Sequence, residues 1–178
     1  MKDKADSVLV QAAVGGDEKS FVELCRRYYP QMLAIAHAIL DDKHLAEDAA
    51  QQAFAKAVPE LRRLRKPERF GAWLAAICRN VARDAAARRQ INVTTRPLES
   101  LQAATESDTD VEAVRAAVNR LPRRQKEIIF LRYYDEMSYE KISAVLGISP
   151  QAVNGRLRRA KTKIALYLRR NGFKEVLE

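Results

Sequence analysis

The chain has 178 residues, 47% of them hydrophobic and 31% charged, which is the composition of a folded globular protein and argues against a disordered chain. Its net charge of +9 and pI near 9.8 favour a partner that carries phosphate. Two histidines, two distant cysteines and no Gly-rich phosphate loop leave little material for an enzyme, a metal centre or a disulfide framework.

In chain order, nearly every periodic segment has helical spacing and none has strand-like alternation, so the expected fold class is all-α. Gly15-Gly16-Asp17 ends a short first helix and caps a second. Asp17 to Leu40 reads as one long amphipathic unit that Pro30 is expected to kink or split. Asp41-Asp42 caps the next helix, whose first turn gathers Asp41, Asp42, Glu47 and Asp48 at its positive end. Pro59 and Pro67 bracket a loop. Cys25 and Cys78 read as buried apolar thiols, and His37 and His44 as structural or solvated side chains.

Beyond Pro67, Phe70, Leu74, Ile77 and Val81 share one helical stripe and form the expected core face. Trp73 and Asn80 lie on the edge of that stripe next to Arg83, after a basic loop that carries Arg62, Arg63, Arg65 and Lys66. An aromatic ring, an amide and cations on one edge make a platform for unstacked single-stranded bases. A core Trp beside a solvated Asn is the structural alternative.

The segment Gln90 to Asp110 is rich in Ser, Thr and acidic residues, and it reads as a flexible linker. Charge divides with it: +4 over residues 1–90, −4 over 91–112 and +9 over 113–178. Two small helical domains are therefore expected, at 1–90 and 112–178, joined by an acidic linker at 91–111.

In the second domain, Leu121-Pro122 opens a helix with Ile128, Ile129, Phe130 and Leu131 available for a core, and Tyr133 and Tyr134 read as packing residues. Ser138 and Ser149 cap the last two helices, with Ile142, Val145 and Leu146 buried and Gly147 at the turn between them. This is the outline of a helix-turn-helix. The final helix places Val153, Leu157, Ala160, Ile164 and Leu168 on its core stripe, and no acidic residue occurs from Ser149 to Asn171. Gln151, Asn154 and Arg158 on the opposite face are candidates for reading base edges, and Gly155 permits close backbone approach. Arg156, Arg159 and Lys163 flank that face where phosphates would lie, with Lys161 on the other flank.

The succession LDDKHLAEDAAQQAF, FGAWLAAICRNVARD, LPRRQKEIIFLRYY and SYEKISAVLGISPQAVNGRLRRAK resembles the extracytoplasmic-function (ECF) type of bacterial RNA polymerase sigma factor over about residues 6–170. The resemblance implies a region 2-like helical domain and a C-terminal region 4-like helix-turn-helix domain. It implies a dissociable subunit, not an enzyme, that binds core RNA polymerase and directs promoter-specific initiation. Asp42, Glu47, Asp48, Gln51 and Phe54 would carry the contact with the polymerase clamp helices. Trp73, Arg79, Asn80 and Arg83, with the preceding basic loop, would melt the minus-10 element and capture a flipped base. The second domain would bind the minus-35 element as duplex and touch the polymerase flap.

Further expectations are an anti-sigma partner, no cofactor, no membrane insertion, a cytoplasmic location and a monomer when free. Asn154 and Gly155 stand where the family often has Lys or Arg followed by Ser, so base preference does not transfer. An ordinary dimeric regulator with one helix-turn-helix explains the C-terminal motif equally, and leaves the pattern of residues 41–84 without a purpose.

Overall fold

A computed structural model describes residues 5–94, 109–134 and 136–173, and among these every regular element is helical. The elements are α1 (Asp6–Val14), α2 (Glu18–Leu40), α3 (Lys43–Glu60), α4 (Phe70–Thr94), α5 (Thr109–Asn119), α6 (Arg123–Ile129), α7 (Tyr139–Leu146) and α8 (Pro150–Arg170). Single 3-10 turns at Leu61–Arg63 and Pro67–Arg69 join α3 to α4, so the expected loop between Pro59 and Pro67 begins only after Pro59 has closed α3.

The helix ends follow capping chemistry. Gly16 adopts φ 99° after α1, and the Asp17 carboxylate accepts from the Lys19 backbone N–H and the Ser20 hydroxyl at the start of α2. Asp41, in the left-handed region at φ 52°, ends α2, and Asp42 accepts from the Leu45 N–H to begin α3. Ser138 and Ser149 cap α7 and α8 by accepting from Lys141 and Ala152, and Gly147 turns between them at φ 65°.

Two expectations about boundaries are corrected. Pro30 does not split α2, which runs unbroken from Glu18 to Leu40. An internal proline costs about 3 kcal/mol, and burial of Leu24 before it and Met32, Ile35 and Leu40 after it offsets that cost. The segment expected to be linker is helical at both ends, since α4 continues to Thr94 and α5 begins at Thr109. The Ala85-Ala86-Ala87 run favours continuation of α4, and Asp110 and Glu112 sit in the first turn of α5, where carboxylates complement the helix dipole. The remainder of the linker lies outside the described residues.

Helices α2, α3 and α4 pack around Leu24, Met32, Ile35, Phe54, Phe70 and Leu74, while α6, α7 and α8 pack around Ile128, Leu131, Ile142, Val153 and Leu157. These two sets are continuous: α6 rests on α2, and α7 rests on α4, so one hydrophobic cluster runs through both halves. After α6 the chain widens into a π-helical turn, Phe130–Tyr134, in which the Phe130 ring meets the His37 ring of α2 at 4.9 Å.

Candidate nucleic-acid interface

Helix α8 presents its two faces as the wheel requires. Val153, Leu157, Ala160 and Leu168 are buried, Ile164 is half-buried, and Gln151, Asn154 and Arg158 are exposed on the opposite side. Gly155 leaves space that the Arg159 guanidinium occupies, 3.6 Å from where a Cβ would stand. Arg159, Lys161 and Lys163 are exposed, whereas Arg156 is half-buried and near enough to the Glu127 carboxylate to favour its charged form. Lys161 Nζ lies 5.5 Å from the centre of the Tyr133 ring. Tyr133 is thus an exposed cation partner and not the packing residue expected, because the π turn carries it off the buried face of α6. The Tyr134 side chain lies outside the described residues.

Lys163 also lines a groove of about 240 Å3 between α5 and α8. Ala117, Leu121, Leu166 and Tyr167 line it together with Arg120 and Arg170. Arg120 stacks over Tyr167 at 4.9 Å. The sequence pattern did not single out this groove, because its apolar residues come from α5, the turn after it and α8, segments about 45 residues apart, and none completes a stripe.

On α4, Phe70, Leu74 and Val81 are buried and Ile77 is half-buried, as their shared stripe predicts. Trp73 is half-buried with its ring tilted against Phe70 at 5.9 Å, so it has a supported side and an open side. Asn80 and Arg83 are exposed and joined by a long hydrogen bond of 3.4 Å from the guanidinium to the amide oxygen. Arg62, Arg63, Arg65 and Lys66 are all exposed on the turns before α4, with Arg63 paired to Glu60 at 2.9 Å.

Arg79 departs from this surface. Its Nε donates to Glu127 Oε1 of α6 at 2.7 Å in a largely buried ion pair. Burial raises the Glu127 pKa, and the Arg79 charge opposes that shift. Sequence reasoning assigned Arg79 to DNA by resemblance and missed Glu127, because no local spacing links positions 48 residues apart.

Around α3, Asp48 and Gln51 are exposed, Glu47 is half-buried and 3.9 Å from an open His44, and Asp42 both caps α3 and faces Arg89 at 3.4 Å. Phe54 is buried and stacked on Tyr29 at 6.4 Å, so it supports this surface from beneath and offers no side chain to a partner in this state. Cys78 is a buried free thiol that donates to the Met32 carbonyl, and burial pushes it up to about 12. Cys25 is only half-buried, and burial raises its pKa too. No group of described residues has the composition of a metal site, and no described helix is long and apolar enough to cross a membrane.

Comparison with known proteins matches these two surfaces separately. The family described as Sigma-70 region 2 matches residues 24–91, and Sigma-70, region 4 matches residues 111–164. A probable RNA polymerase sigma factor, RfaY, of Xanthomonas campestris is 32% identical over 85% of this chain and 41% of its own length. The sigma-H factor of Pseudomonas aeruginosa is 28% identical over 89% of this chain and 91% of its own. The ECF sigma factor SigM of Mycobacterium tuberculosis is 28% identical over 93% and 86%. The chain thus spans less than half of the first relative and most of the other two.

Among solved structures, CnrH in complex with the cytosolic domain of CnrY superposes with a TM-score of 0.65 at 26% identity, over 95% of this chain and all of that one. The sigma factor RpoE of Bartonella quintana, in complex with the anti-sigma factor NepR, shares the fold with a TM-score of 0.58 at 24% identity, over 85% and 98%. With both sigma-70 regions matched in order on helices α2–α4 and α5–α8, this chain belongs to the sigma-70 family as an ECF-type RNA polymerase sigma factor.

Proposed function

We propose that this chain binds bacterial core RNA polymerase and directs it to promoters, reading duplex DNA at the minus-35 element with α8 and capturing melted DNA at the minus-10 element with α4. The observation that carries the proposal is the presence, in one chain, of two separate cation-bearing edges of different chemistry. The α8 face offers Gln151, Asn154 and Arg158 above a buried spine, with Arg159 positioned for the flanking backbone. These side chains suit base edges in a major groove and phosphates beside it.

The α4 edge offers a half-open Trp73 ring with Asn80 and Arg83 nearby. Extruding a base from a duplex costs a few kcal/mol, and stacking on an aromatic ring contributes about 1–3 kcal/mol per base, so capture on Trp73 offsets much of the cost of melting. Arg62, Arg63, Arg65 and Lys66 supply cations for the displaced strand on the approach to that ring. Arg79 joins them once it leaves Glu127.

The α3 surface of Asp42, Glu47, Asp48 and Gln51 is assigned to the clamp helices of the polymerase, with Phe54 holding α3 against α2 behind it. The groove between α5 and α8 is assigned to the polymerase flap, since its lining combines Leu121, Leu166 and Tyr167, which can cover a small hydrophobic element, with Arg120 and Arg170 for acidic groups. A regulatory partner of the anti-sigma class is proposed as well, from the likeness to CnrH, whose structure was solved with the cytosolic domain of a second protein.

The test is transcription by core polymerase, stripped of other sigma factors, from a library of randomised promoters. Transcripts that require this chain and share upstream and downstream motifs support the reading. No dependence on the chain, together with tight binding of duplex DNA by the chain alone, would contradict it.

A further inference from the structure

Resting on that reading, we infer that Asp6 and Tyr28 are positioning residues for base capture: from α1, through the Tyr28 ring and Phe70, they hold the Trp73 ring in the attitude that leaves one side open for a base. Three contacts make the link. The Asp6 carboxylate accepts from the Tyr28 hydroxyl and from the Arg27 guanidinium, both on α2. The Tyr28 ring meets Phe70 edge-on, with centroids 5.3 Å apart, and lies across the bare Cα of Gly71 at the start of α4. Phe70 is fully buried and supports the closed side of Trp73, 5.9 Å away.

The hydrogen bond separates this arrangement from packing alone. A half-buried phenol that is not tied down can swing, and Phe70 and Trp73 would tilt with it. Bonded to Asp6, Tyr28 keeps one position. Burial, and then the bond to Asp6, raise the pKa of the Tyr28 hydroxyl, so it stays protonated and continues to donate. Arg27 also meets Glu23 at 3.6 Å, so the ion pair anchors α1 to α2 while the Tyr28 bond carries the constraint on to α4.

The same helix steadies the cations. Leu9 and Val10 of α1 are buried, and α1 packs on both 3-10 turns between α3 and α4 as well as on α4 itself. The segment that bears Arg62, Arg63, Arg65 and Lys66 is thereby set in one frame with Trp73. A ring that must stack on a single base gains from such support, because a group displaced by about 1 Å loses much of its effect.

Trp73 is the single tryptophan of the chain, so its fluorescence reports on this ring directly. Tyr28→Phe keeps an aromatic ring against Phe70 and removes the bond to Asp6. Its Trp73 anisotropy should decay faster than in the wild type, with helical content by circular dichroism unchanged. With core polymerase on a selected promoter, the rate of opening should fall about threefold to tenfold, the worth of one hydrogen bond, while affinity for the closed promoter, set by α8, stays as it was.

Asp6→Ala should slow opening to a similar extent, and little further in the Tyr28→Phe background, because both changes break the same link. Additive slowing would show that Asp6 acts by another route and would overturn the link. Unchanged anisotropy decay or unchanged opening in Tyr28→Phe would overturn it too. So would equal losses of opening and affinity, which mark general damage to the fold. Trp73→Ala in the same assay tells positioning from capture. Opening as fast as in the wild type would contradict base capture on Trp73 itself, whereas slow opening there with unimpaired Tyr28→Phe would remove only the positioning role.

Discussion

At residue 71 the lack of a side chain lets α4 close on α2. A Cβ there would stand 2.5 Å from the Tyr28 ring, which is itself fixed edge-on to Phe70 and hydrogen-bonded to Asp6 of α1. Gly71→Ala should lower stability by about 1–3 kcal/mol through overpacking, read as a shift in the urea midpoint with little change in slope. An unshifted midpoint would mean that Tyr28 moves aside freely. On α8, Arg158→Ala should relax preference at particular upstream base pairs, whereas Arg159→Ala should weaken all sequences alike and reduce the salt slope by about one phosphate contact. Binding to a panel of single-base variants at two salt concentrations separates these outcomes, and identical effects of both changes would refute the face assignment.

At the scale of elements, the second half is held to the first by groups whose protonation differs between packed and separated states. Burial lowers the His37 pKa below its ordinary 6.5, aided by Lys126 from α6 and Arg115 from α5 and opposed by Asp41 and Asp42. The folded state therefore favours neutral His37. Its contribution to stability is present above pH 6.5 and is lost as pH falls through the lowered value. Glu127 slopes the other way: burial raises its pKa above 4.5, so its contribution is present below 4.5 and is lost as pH rises through the raised value. Denaturation at several pH values, compared between the wild type and His37→Gln, isolates the first effect. The difference between them should change between pH 7.5 and 5.5, and a constant difference would exclude His37 as a contributor.

Elements were also where the sequence was most legible. Asp17, Asp42, Ser138 and Ser149 occupy the caps that their chemistry and position predict, and the buried stripe of α8 matches its wheel. Local rules suffice there because each partner lies within a few residues. They failed at Pro30, where burial on both sides outweighed a local penalty, and at Tyr133, where a π turn changed the phase of the helix. They were silent on Arg79 with Glu127 and Asp41 with Lys126. Charged residues on helical surfaces look solvated in a sequence until distant helices meet, so these pairs carry no periodic mark.

For the whole molecule, the sequence shows where the charge lies and the structure shows how it is partly spent within the chain. The strongly basic C-terminal half does not present every cation to solvent, since Lys126 is buried and Arg156 is half-buried, its charge bearing on Glu127. In the proposed function two edges divide the work: α8 is assigned the selection of duplex sequence, and the edge of α4 the holding of a base once it leaves the stack. Permanganate reactivity of unpaired thymines, on a promoter selected with this chain and core polymerase, tests that division most directly. The wild-type complex should show reactive thymines at the downstream element. Trp73→Ala should abolish that reactivity while retaining protection of the upstream duplex. Reactivity as strong as that of the wild type, or upstream protection lost together with melting, would contradict the assignment of the two tasks to α4 and α8.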